Sequence, residues 1–212
     1  YRNSLVNLQL RLVHIAQVSY SQSGFLETDL NRLEALADGH IDEVHTLRDQ
    51  YGADLVSMLN SIGNSGGLAN SMDHPSIGFA SSAFSVCMWD QIGAPSYTLA
   101  HEIGHNMGCL HNREDVSGSL DGYDFAAFCF GKRWTNSGQG YGTVMSYDTS
   151  PVSTYPNTVP FFSNPNVSHL GIPTGNAGTE DNARVLSFTA PYVSNFRTAV
   201  VQGITLSRSD LT

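Results

Sequence analysis

One run of eleven residues constrains this chain more than any other: His101-Glu102-Ile103-Gly104-His105-Asn106-Met107-Gly108-Cys109-Leu110-His111. On an α-helix, residues four apart lie about 40° apart around the axis and about 6 Å along it. His101 and His105 therefore present two imidazoles on one face, one turn apart, able to share a metal. Glu102 sits about 60° round from His105, close enough to act on a water at that metal without ligating it. Gly108 takes left-handed backbone angles at little steric cost, so it can end the helix and swing His111 back as a third ligand. Three protein ligands leave a fourth position open, which is the pattern of catalytic rather than structural zinc. An amphipathic helix with three unrelated histidines is the plainer alternative. It does not explain why each ligand type and the turn glycine fall into place together.

The rest of the chain must supply a scaffold for that helix. Its 212 residues suit one domain, 1–212, with an N-terminal lobe over 1–111 and a C-terminal lobe over 112–212. A 41% apolar content is enough for a sizeable core. The formal net charge is −9 and Lys132 is the sole lysine, so there is no basic patch for nucleic acid. No apolar run approaches the length of a membrane span. The chain begins at Tyr1 with no signal-like segment, and we expect a mature fragment. Of the three cysteines, Cys109 and Cys129 are expected to pair, leaving Cys87 a buried thiol in an apolar strand; Cys87–Cys129 is the competing pair, and three free thiols is the outcome for a cytosolic protein.

Periodicity predicts a strand over residues 8–20 and a long helix over 26–51 stopped by Gly52. A second strand over 53–60 would pair parallel with the first. His40 and His45 read as surface or packing residues. Residues 62–71 are glycine- and asparagine-rich and predict a loop. Two short strands follow, over 76–80 and 83–90. The metal-binding helix is expected over 95–108, with Pro95 in its first turn. Beyond Asn112 periodicity fades, predicting long loops, short turns and one more helix near 179–198.

A second short run, Thr143-Val144-Met145-Ser146-Tyr147, means little alone, since a core methionine is ordinary. Together with the histidine motif it resembles the Met-turn of metzincin zinc endopeptidases. The tail runs Phe161-Phe162-Ser163-Asn164-Pro165 and Asp181-Asn182-Ala183-Arg184 look like those of secreted bacterial adamalysin-like (reprolysin-like) proteases, which include the peptidyl-Asp endopeptidases. The resemblance implies an α+β catalytic domain: a twisted mixed sheet with long helices in the N-terminal lobe, a smaller irregular C-terminal lobe, and zinc in the cleft between them. It implies one catalytic Zn2+ on His101, His105 and His111, Glu102 as general base, and a monomer, exported from the cell, that cuts internal peptide bonds of proteins. Two departures stand out. Asn112 occupies a place where adamalysins usually have aspartate. Tyr147 matches the tyrosine that astacins and serralysins use as a zinc ligand and oxyanion donor, while a packed aromatic is the alternative.

We expect residues 76–80 to be the sheet edge that receives substrate and 149–162 to wall the pocket beyond the cut. An aspartate-accepting pocket needs a cation, and Arg133 and Arg184 are the candidates. Two other functions remain open at this level: a zinc hydrolase acting on cell-wall or small amide substrates, and a peptide-binding module that does not cut. The intact Glu102 argues against the module.

Overall fold

The computed structural model describes residues 1–147 and 157–200, which form a mixed α+β fold. In the N-terminal half, α1 (Leu26–Glu34) and α2 (Glu43–Tyr51) precede β1 (Val56–Asn60), β2 (Gly67–Ala69) and β3 (Phe84–Met88), and α3 (Thr98–Asn106) follows. The sheet order is β1-β3-β2. β3 runs parallel to β1, from Val56↔Phe84 to Asn60↔Met88, and antiparallel to β2, from Gly67↔Cys87 to Ala69↔Ser85. The central strand carries Phe84, Ser85, Val86 and Cys87, all buried, as expected of a strand covered on both faces. Phe84 and Val86 pack with Leu26, Leu30, Leu33 and Ile41. A larger core joins α3 to the C-terminal half through Ile103, Met107, Met145, Phe162, Val185 and Leu186.

Three expectations change here. Residues 8–20 are not a strand: they make no ladder, and Leu10, Leu12 and Ile15 are exposed. Leu8 leans on the larger core, Val18 and Tyr20 lean on the smaller one, and between them the His14 ring stacks on Tyr51 at 3.7 Å, so the segment is held by side chains rather than by a ladder. The parallel pairing falls instead between β1 and β3. The predicted long helix is two helices, because local side-chain bonds outcompete helix propagation between them. The Asp42 carboxylate accepts the N–H groups of Asp38 and Gly39, and Asp38 accepts that of His40. Gly39 then turns at φ 84°. Gly52 does end α2, in the left-handed conformation. Finally, residues 76–80 are not a strand. Ile77–Ser82 is a 3-10 helix, started by the Ser76 hydroxyl accepting the Gly78 N–H. The sheet edge is β2, within the segment expected to be loop.

The C-terminal half has short strands: β4 (Leu110–Asn112) parallel to β5 (Phe130–Gly131), β6 (Arg133–Asn136) with β7 (Gln139–Gly142) and β8 (Asn157–Thr158), and β9 (Ser168–His169) with β10 (Ile172–Pro173). The expected last helix is α4 (Asn182–Val193), capped by the Asp181 carboxylate on the Arg184 N–H. All three cysteines are free and buried, which corrects the expected Cys109–Cys129 bridge. The Cys109 thiol points to the Asn182 carbonyl instead, at 3.8 Å.

One buried carboxylate ties the N-terminal half together. Asp29 accepts from the Tyr20 hydroxyl (2.5 Å), the Ser23 N–H (2.9 Å) and the Asn60 amide (2.6 Å). Burial raises its pKa, but those hydrogen bonds outweigh burial and hold it below the ordinary carboxylate value. A folded value below the unfolded one gives stability that is complete above about pH 4 and is lost as pH falls through the folded value. Asp29→Ala also leaves buried donors unpaired and should cost about 3 kcal/mol at neutral pH. Asp29→Asn should flatten the acid limb of the stability curve. Urea unfolding between pH 3 and 7 checks both.

Candidate metal centre

The centre is built where α3 ends against the turn that follows β7. Within α3, His101 and His105 share a face. The helix stops at Met107, where Gly108 turns at φ 88° and donates its N–H to the His105 carbonyl. Any side chain at Gly108 would be strained at that angle and would crowd the Met72 carbonyl at 3.1 Å. The reversal lays β4 beside β5 and brings His111 back to the other two histidines. The three Nε2 atoms stand 2.9, 3.1 and 3.2 Å apart. Tetrahedral zinc with Zn–N bonds of about 2.0–2.1 Å spaces its ligands by about 3.3 Å, so the donor set fits. Among the described residues this is the one His/Cys/Asp/Glu group close enough to hold a metal.

Two rings are oriented by their other nitrogen. His101 Nδ1–H donates to the Val144 carbonyl at 2.7 Å, and His105 Nδ1–H to the Cys109 carbonyl at 2.8 Å. That tautomer leaves both Nε2 lone pairs for a metal. Burial, and for His105 and His111 the neighbouring rings, lowers all three pKa values, His111 to about 3. Neutral imidazoles are what a metal requires. His111 is steadied differently, by the Tyr147 ring lying over it at 3.6 Å between centroids.

Glu102 is 5% exposed and has no hydrogen-bond partner among the described residues. Burial pushes its carboxyl up to about 8. A cation on the adjacent histidines would favour the carboxylate form again. Beneath α3, Met145 is fully buried, and a Cβ on Gly104 would come within 2.5 Å of its sulfur. The turn after β7 thus packs directly against the helix and also supplies the Val144 carbonyl that orients His101.

Asn112 links the two segments. Its side-chain oxygen accepts the Tyr147 N–H (2.9 Å), and its amide nitrogen donates to Glu114 (2.8 Å) and Asp115 (3.0 Å). Only an amide can accept from one and donate to the others; aspartate here would set three carboxylates together. Arg133 completes the group, 3.2 Å from Asp115 and 3.7 Å from Glu114. Arg184 lies over the Phe128 ring at 3.3 Å and reaches Asp181 and the Ala177 carbonyl. His45 packs against Phe84 and bonds the Ala35 carbonyl, a structural role. Much of the expected pocket wall falls on residues 148–156, outside the described residues. The sequence reading missed β2, which has too few residues to show a period.

A family model described as "Metallo-peptidase family M12B Reprolysin-like" matches residues 1–112, more than half of the chain. The chain belongs to this family. A peptidyl-Asp metalloendopeptidase of Stenotrophomonas maltophilia (strain K279a) is 38% identical over 200 residues, covering 93% of this chain and 45% of that protein. The protein of the same name from Xanthomonas campestris pv. campestris is 35% identical, over 93% of this chain and 44% of its own length. That of Pseudomonas aeruginosa PAO1 is 32% identical, over 96% and 35%. This reprolysin-like chain therefore spans less than half the length of these relatives. Among solved structures, a chain in one titled "Structure of a chaperone-substrate complex" aligns with a TM-score of 0.56 at 20% identity, over 83% of this chain and 25% of that one, a likeness of fold.

Proposed function

We propose that this reprolysin-like domain is a zinc-dependent endopeptidase, with His101, His105 and His111 as the metal ligands and Glu102 as general base and acid. The observation that carries this reading is a trio of neutral, converging imidazoles with a buried carboxyl, unpartnered among the described residues, one residue from the first. Bound there, zinc supplies Lewis-acid chemistry, polarising a carbonyl and acidifying water. The Glu102 carboxylate takes the proton of the attacking water and passes it to the leaving amine.

The substrate is an extended peptide added to the edge of β2 by main-chain hydrogen bonds. Gly66 O accepts from Met88 N, and Asn70 N donates to Phe84 O, so the even-numbered residues of this stretch face β3. In an antiparallel ladder the odd ones, Gly67 and Ala69, then turn their N–H and C=O groups outward. Tyr147, 42% exposed beside His111, has its hydroxyl unbonded among the described residues, available to the developing oxyanion. Tyr147→Phe keeps the ring over His111 and should lower kcat about 100-fold with KM little changed. Tyr147→Ala should weaken zinc retention as well. Steady-state kinetics and metal analysis of both variants check this.

The relatives' name points to cuts at aspartate. Arg133 is the better placed cation, since Asp115 and Asn112 join it to the Tyr147 backbone, whereas Arg184 is held on Phe128. Export and a monomeric state belong to the same proposal; no helix of the described residues is long and apolar enough to cross a membrane. Casein, a cell-wall preparation and small amides, each digested with and without chelator, test it. Chelator-sensitive casein fragments are expected. Cleavage of the other two substrates alone would make this a non-proteolytic hydrolase, and binding without cleavage a peptide-binding module.

A further inference from the structure

We propose that Gly67 is a positioning residue for Glu102: the bare face of the substrate-receiving strand is the surface against which the general base is set. The inference rests on the endopeptidase reading above and adds to it what holds Glu102 in place. As no hydrogen bond among the described residues fixes the Glu102 carboxyl, its position must come from packing. The packing surface is β2. A Cβ built on Gly67 would lie 2.6 Å from Thr98 Cγ2, 2.8 Å from Glu102 Cδ, and closer still to Glu102 Oε1. Real Cβ atoms do not approach so near, so the carboxyl occupies the space a side chain would take.

The strand cannot easily back away. β2 is laddered to β3 over three residues, and its C-terminal continuation is tied to α3. The Asn106 amide donates to the Asn70 carbonyl at 2.8 Å, and the Met72 N–H donates to the His105 carbonyl at 3.1 Å. Thr98 precedes Glu102 by one helical turn and is buried, with a stiff β-branched side chain. The carboxyl is thus set between the bare face of β2 and the Thr98 side chain of its own helix.

The same residue turns its backbone N–H and C=O outward, to where the substrate backbone would pair. Gly67 therefore joins two tasks in one residue. Its peptide groups hold the substrate, and its missing side chain lets the base sit directly beneath. A methyl group at 67 would leave the strand's pairing groups in place and displace the carboxyl.

The test compares wild type, Gly67→Ala, Glu102→Asp and the double variant, with Gly93→Ala as control, since a Cβ at Gly93 meets nothing within 4 Å. Gly67→Ala is expected to keep its zinc and its KM for a fluorogenic peptide while kcat falls about 100-fold, as misplacing a reacting group by about 1 Å does. Aspartate is one methylene shorter and clears the new methyl, so adding Gly67→Ala to Glu102→Asp should cost only about threefold more. Should Gly67→Ala fold poorly, Gly67→Ala/Thr98→Ser removes the Thr98 Cγ2 contact and keeps the one with Glu102; kcat should stay low. Unchanged kcat in Gly67→Ala, independent multiplication of the two single losses, or recovery of kcat with Thr98→Ser would each overturn the proposal. A crystal structure of Gly67→Ala gives a readout free of turnover. The Glu102 carboxyl should be turned away with β2 in place; a shifted β2 under an unmoved Glu102 refutes the inference. An inactive wild type would instead refute the endopeptidase reading and leave this structural result to decide the contact.

Discussion

Glu102→Gln should abolish nearly all turnover while leaving the protein folded and loaded with zinc. The amide matches the carboxyl in size, so it fits the space beside Gly67 and Thr98 without moving either. It cannot take a proton from water or return one to the leaving amine. General acid–base catalysis contributes about 10²–10⁴ in rate, and one group here serves both steps, so the expected loss in kcat is toward 10⁴. Substrate affinity should hold, because the proposed grip on the peptide is the edge of β2, which the substitution leaves alone. Stability should rise slightly if anything: a buried ionisable group without a partner is costly, and the neutral amide relieves that cost. Peptidase assay, metal analysis and thermal unfolding of the same preparation decide the matter. Wild-type turnover in this variant would remove Glu102 from the mechanism, and loss of zinc would mean that it also serves the metal.

The centre was legible in the sequence because its residues are local. His101, Glu102 and His105 are set by helical geometry, and Gly108 by the need for a left-handed turn. The approach of Tyr147 and Val144 was legible only through the resemblance to known proteases, since nothing local in residues 143–147 says which helix they pack against. The shape around the centre was less legible. β2 is three residues long and runs through a glycine-rich stretch, so it has neither length nor period. Its importance comes from what is absent at Gly67, a contact between segments far apart in the chain. The break between α1 and α2 failed for another reason: the apolar spacing continues through it, while the Asp38 and Asp42 side chains capture the backbone. The expected strand over 8–20 had the right composition but lacked ladder partners, which composition does not supply. The predicted disulfide rested on position along the chain, with Cys109 where the chain leaves the histidine helix and Cys129 20 residues later. β4 and β5 do bring that region together, with Leu110 N bonded to Cys129 O at 2.7 Å, yet both thiols stay free.

Removing the metal should lower both activity and stability, and the three histidines should not contribute equally. A ligand that binds only the folded state at about 1,000 times its Kd adds about 4 kcal/mol. In a domain of this size, about 1 kcal/mol moves Tm by about 2–4 °C, so chelation should lower Tm by about 8–16 °C. Zinc added back should restore it, with Tm rising with the logarithm of free zinc. His105 is fixed by the Cys109 carbonyl and lies deepest of the three, with its ring within 5 Å of both others. His105→Ala should therefore lose the zinc-dependent rise in Tm altogether. Among the described residues the second nitrogen of His111 has no hydrogen-bond partner, and the ring depends on Tyr147, so its geometry is the least constrained. His111→Ala should keep a reduced zinc-dependent rise through His101 and His105, while turnover falls to background. His101 is tied to the Val144 carbonyl, so His101→Ala should also loosen the turn carrying Met145 and lower Tm even without zinc. Calorimetric scans of the three variants across a series of buffered zinc concentrations give the order. An equal response in all three would show that the hydrogen bonds at Nδ1 do not set the metal affinity, and no response to zinc in the wild type would remove the metal from this site.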